Sequence, residues 1–220
     1  MSRIPLFDPE GMTTEQAKVY AEVVGGPRGR LVGPLRAAMH NPVLADRWQK
    51  FGEVLRFNTS LPKRVTELVI LVTARRWNSQ LEWYIHAQDG LSAGLSAEII
   101  EALRCGESPA FDDAEDAEDA DIYEFACQLQ QQGNVEEALY ERLHQRWGTV
   151  AMVDLSSVIG YYTLVAMTLN VHQVPLPDGA ANPLEDLSQG HEGAWSLGRL
   201  AKSKKTQSKK HLATASGGER

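Results

Sequence analysis

The stretch KRVTELVILVTARRW, residues 63–77, constrains the fold more than any other part of the chain. Leu68, Val69, Ile70, Leu71 and Val72 are consecutive. In a helix they surround the axis on most sides, so the element has to lie at the centre of a core. A second apolar run, VAMVDLSSVIGYYTLVAMTLNV (150–171), approaches membrane-span length but contains Asp154, two serines, Gly160 and Asn170. That composition fits a buried core helix, and no membrane association is expected. No segment alternates apolar and polar residues with period two. The expected fold is all-α, with about seven or eight helices and no β-sheet.

Start and stop signals divide the rest. Thr13 followed by Gln16 is a capping box opening a helix that runs to Gly25–Gly26. GGPRGRLVGP (25–34) reads as a connector, because no GK[ST] follows to make it a phosphate loop. Asn41–Pro42 opens the next helix, and Ser60 with Pro62 repeats the device before the central one. Ser79 to Gly90 forms another helix, and Ser96 caps AEIIEALRCG. The acidic run DDAEDAEDAD (112–121) reads as a solvated loop whose carboxylates favour the start of the helix after it. Asn134 is the expected start of VEEALYERLHQRWG, and Thr149 of the long apolar helix. Pro175 and Pro177 end the organised part. This divides the chain into an N-terminal helix and loop (1–40), a helical domain (41–180) and a flexible basic tail (187–220).

Charge narrows the ligands. The net charge is −7, yet residues 199–220 hold seven Lys/Arg and one Glu, hence +6, so residues 1–198 carry −13. An acidic body argues against nucleic acid as a partner. Cys105 and Cys127 have no metal-ligand spacing around them, and no charged-then-apolar leader opens the chain. A reducing cytoplasm is the simplest expectation, with no metal and no other cofactor.

Chemistry concentrates in RRWNSQLEWYIHAQDG (75–90). Ser79, Glu82 and His86 share one helix face at i, i+3 and i+7. Ser79-x-x-Glu82 is itself a capping box, with the glutamate reaching back to the cap N–H. From pattern alone that reading prevails over an acid–base pair. His40, His144, His172, His191 and His211 have no local support for a catalytic role.

The block RVTELVILVTARRWNSQLEWYIHAQDGLSAGLS (64–96), with IGYYTLVAMTLNVHQVPLP (159–177) downstream, resembles the carboxymuconolactone decarboxylase family of the alkylhydroperoxidase D-like superfamily. The likeness covers roughly residues 40–180. The peroxidase branch of that superfamily carries Glu-x11-Cys-x2-Cys-x3-His. Counted from Glu67, the cysteine places here are Ser79 and Glu82, and the histidine place is His86. A thiol peroxidase needs a low-pKa thiolate with a resolving partner, which Ser79 and Glu82 cannot supply. The resemblance therefore implies the decarboxylase branch and an alkylhydroperoxidase D-like helical domain. It further implies a cytoplasmic homo-oligomer, a trimer or hexamer, active in aromatic degradation.

It also implies a cofactor-free lyase acting on a small carboxylated lactone or keto acid. Loss of CO₂ leaves an extended enolate that must be protonated on carbon, and histidine with a carboxylate one turn away is suited to that. The expected relay is Glu67, Glu82 and His86. Arg64, Arg75 and Arg76 are candidates for the substrate carboxylate, with Ser79, Trp83 and Tyr161 lining the pocket. Isomerisation or lactone hydrolysis in the same pocket, or a catalytically silent oligomeric binding protein, are the alternatives.

Overall fold

The computed structural model describes residues 2–111 and 117–185. Among these the chain is all-helical, with eight helices and no strand. They are α1 (Thr14–Gly25), α2 (Pro34–Ala38), α3 (Pro42–Phe57), α4 (Lys63–Arg76), α5 (Gln80–Ser92), α6 (Ala97–Cys105), α7 (Ala117–Gln132) and α8 (Glu137–His172). Helix α4 is the hub: α5, α7 and α8 pack around it, and residues 65–75 of it are all buried. A helix apolar on most sides can be satisfied only by neighbours on most sides. Gln130 of α7 ties three of these helices together, donating to Thr73 Oγ1 of α4 at 3.2 Å and to Thr163 Oγ1 of α8 at 2.9 Å.

Several caps match the sequence. Thr13 makes both halves of its capping box, Asn41 accepts from Leu44 N–H ahead of Pro42, and Ser96 accepts from Ile99 N–H. Others differ. The short α2 was not foreseen within the stretch that joins α1 to α3. Ser60 does not cap α4; its N–H and hydroxyl both donate to Asp154 of α8 at 2.7 Å, and Pro62 occupies the cap position. Helix α8 starts at Glu137 rather than after Asn134 and runs to His172, with its ladder broken at Gly148 (φ 75°, ψ 174°) where a boundary between two helices was expected. By length and composition α8 could cross a membrane, but half of its most apolar window is buried in the protein.

Residues 112–116 of the acidic run lie outside the described part, and so does the basic tail. The acids that follow are paired rather than solvated. Glu118 meets Arg146, Asp119 is buried against Arg64, and Asp121 accepts from Arg142.

Candidate functional site

The turn between α4 and α5 builds the site. Asn78 adopts a left-handed conformation (φ 49°), and Ser79 N–H donates to Ala74 O at 2.8 Å, a helix-terminating arrangement that reverses the chain sharply. Helix α5 thereby returns along α4 and sets His86 against Glu67. The His86 Nδ1–H donates to Glu67 Oε2 at 2.7 Å, and His86 Nε2 lies 3.3 Å from Glu82 Oε2 one turn earlier on α5. Lys63, one turn before Glu67, completes an ion pair with Glu67 Oε1. His86, Glu67 and Glu82 are 1%, 0% and 4% exposed, whereas the Lys63 side chain is nearly half exposed. The cluster is closed to water except at its lysine end.

Burial alone drives a histidine towards its neutral form. Here that penalty is outweighed by Glu67 and Glu82 on either side of the ring, and the His86 pKa is raised from 6.5 to about 9. Burial likewise favours a protonated Glu67, but His86 and Lys63 overcome it and hold the carboxyl below its ordinary range. Each partner thus favours the charged form of the other, the carboxylates the imidazolium and the imidazolium the ionised Glu67. Tyr162 of α8 stands edge-on to the His86 ring, with centroids 5.0 Å apart at 89°. Burial and the neighbouring Glu82 push the Tyr162 phenol well above its usual pKa, so it stays a neutral lid on the ring.

Glu67, His86 and Asp89 offer ligand atoms all within 4.8 Å of one another, which is the composition of a cation site. Both His86 nitrogens face carboxylates, Nδ1 towards Glu67 and Nε2 towards Glu82.

The sequence-derived residues divide sharply. Glu67, Glu82 and His86 converge. Ser79 is fully buried at the start of α5, but its hydroxyl makes no cap bond and has no partner. The capping box expected there does not form, because Glu82 faces His86 instead. Trp83 is buried in the core, and Tyr161 stands edge-on to Trp48, Phe51 and Tyr162. The three arginines are engaged elsewhere. Arg64 donates to Asp119 from Nε at 2.7 Å, Arg75 donates to Asn78 Oδ1 at 3.1 Å, and Arg76 closes the last turn of α4.

Lys63, Tyr162 and the Arg56–Asp89 pair (3.2 Å) were missed. Lys63 was legible as an i, i+4 partner of Glu67. Tyr162 was legible only as the neighbour of Tyr161 in the downstream apolar block.

The thiols have no part in this arrangement. Cys105 is exposed, and its pKa is raised by the bond to Glu101 first and then by burial; Cys127 is buried, and burial pushes it up to about 12. A peroxidatic thiol needs the opposite shift.

No family model matches the chain, and no curated protein does. Among solved structures, an uncharacterized peroxidase-related protein from Silicibacter sp. TM1040 is similar in fold, with a TM-score of 0.61, 16% sequence identity, and coverage of 81% of this chain and 92% of that one.

Proposed function

We propose that the protein is a cofactor-free, decarboxylase-like lyase in which His86 acts as the general acid. The observation that carries this reading is the buried Glu67–His86–Glu82 cluster, in which two carboxylates flank the imidazole and favour its protonated form. Decarboxylation breaks the bond between the substrate carbon and its carboxylate. The electron pair stays behind as an extended enolate, and CO₂ departs. The remaining step is proton delivery to carbon. An imidazolium enclosed between two carboxylates is set to make that delivery, and its longer contact, to Glu82, marks Nε2 as the nitrogen that a substrate would engage. Glu67 orients the ring, and Lys63 connects the relay to solvent for reprotonation. The substrate class is a small carboxylated lactone or keto acid.

A second reading is supported by the edge-on Tyr162 ring and the near-complete burial of His86, which leave little room beside the nitrogen. In that reading the chain is a catalytically silent binding protein. Both readings include a homo-oligomer of this chain. Its seam would be the outward stripe of α8 that carries Val150, Val153, Leu164, Met167 and Val171, all exposed, with small Ser157 and Gly160 between them. This stripe alternates spacings of three and four residues, which suits packing against a second copy.

The experiment is CO₂ release from a panel of carboxylactones and keto acids by the wild type and by His86→Asn. The expected loss is about 10²–10⁴-fold in kcat, the usual contribution of a positioned acid–base group. Near-normal turnover by His86→Asn would remove the histidine from the mechanism. The silent reading gains if no member of the panel is turned over by the wild type.

A further inference from the structure

The connector after α1 does more than join helices. Together with α2, the end of α3, the segment that follows α8 and one flank of α5 it bounds a cleft of about 680 Å³, within the range of small-molecule sites. Four arginines line it, Arg28, Arg30, Arg36 and Arg56, against one carboxylate, Asp178. That balance is the reverse of the chain's net charge of −7. Two of the cations are committed: Arg36 Nε donates to Phe7 O at 3.2 Å and Arg56 pairs with Asp89. Arg30 is exposed and has no hydrogen bond or ion pair among the described residues. Arg28 is the telling one. Its Nε and Nη2 are enclosed by protein with the Tyr161 hydroxyl beside them, and no carboxylate pairs with it among the described residues.

A guanidinium whose neighbour is a neutral hydroxyl keeps its charge uncompensated beside the cleft. The backbone is shaped to hold it there. A Cβ added at Gly52 of α3 would lie 2.0 Å from the Tyr161 hydroxyl and 2.5 Å from Arg28 Nη2, so only glycine lets the guanidinium cross the helix at this point. The walls between the cations are apolar, supplied by Phe57, Leu81 and Ile85.

We infer that this cleft binds a small molecule bearing a carboxylate on an apolar body of about ring size, with Arg28 and Arg30 grasping the carboxylate and the α5 flank packing on the body. The planar guanidinium fork matches a carboxylate in geometry as well as charge. An acidic protein with an arginine-lined concavity also focuses its positive potential there and draws anions in. The inference does not depend on the His86 relay. Leu81 and Ile85 lie on the flank of α5 beside the Glu82–His86–Asp89 stripe rather than on it.

Calorimetric titration of the full chain with phthalate and benzoate, with benzyl alcohol as the neutral counterpart, tests it. Saturable binding of phthalate is expected, with benzyl alcohol at least tenfold weaker. Arg30→Gln, an exposed substitution that leaves the fold intact, should weaken phthalate by about tenfold, the usual worth of a hydrogen bond to a charged group. Arg28→Gln should weaken it at least as much, and amide shifts on phthalate addition should centre on Leu81, Tyr84 and Ile85. His86→Asn should bind phthalate as the wild type does, which separates this site from the proton relay. Absence of saturable binding by the folded wild type overturns the proposal. So do unchanged affinities in both arginine variants, or benzyl alcohol binding as tightly as the acids. Loss of binding in His86→Asn with normal binding in the arginine variants overturns it as well.

Discussion

A histidine between two carboxylates keeps its proton in the fold far longer than it would in an unfolded chain, and that difference is a contribution to stability. His86 has a folded pKa of about 9 against 6.5 unfolded, so its contribution is complete below about pH 6.5 and is lost as pH rises through 9. Glu67, shifted down from 4.5, contributes above that value and loses its share as pH falls through its folded pKa. The His86 shift corresponds to on the order of 3 kcal/mol. Urea midpoints of the wild type and His86→Gln, compared at pH 6 and pH 9.5, should therefore converge at the higher pH. A gap that stays constant across that range would show that the histidine is not held protonated. At this scale the sequence was legible where two residues share a helix. Glu82 and His86 are one turn apart on α5, and the spacing of the motif that the sequence resembles led to Glu67. Tyr162 and the cleft-lining Arg28 come from segments remote in sequence, and only packing brings them in.

Helix ends show the same division. A cap works through local backbone geometry, so Thr13, Asn41 and Ser96 could be read directly. Ser79 satisfies the same pattern yet makes no cap bond, because Glu82 is turned to a tertiary partner. The two cases predict opposite outcomes. Thr13→Ala should cost about 1 kcal/mol, the usual value of a lost cap. Ser79→Ala should be neutral or stabilising, since it removes a buried hydroxyl without a partner. Thermal unfolding of both variants checks this, and a loss at Ser79 equal to that at Thr13 would restore the capping role. On α8, the outward stripe is where a second copy would pack. Leu164→Glu together with Met167→Glu should lower the mass measured by light scattering to that of a single chain of 24.3 kDa without lowering helix content. A wild type already monomeric at the same concentration would rule the seam out.

For the whole molecule, the all-helical class and the central place of α4 were legible because an element apolar on most sides admits one environment. The arrangement around it was not, because contacts such as Gln130 to Thr73 and Thr163 join residues far apart in sequence that carry no local signal. The break at Gly148 has a further consequence. A continuous helix of 36 residues would share its cooperativity from end to end, so that loosening one half would be felt in the other. With the ladder interrupted at a glycine in the left-handed region, the amphipathic half before it and the apolar half after it are free to open as separate units. Amide hydrogen exchange should then divide α8 into two protection classes that meet at residue 148, the slower one belonging to the segment that holds Tyr162 over the histidine.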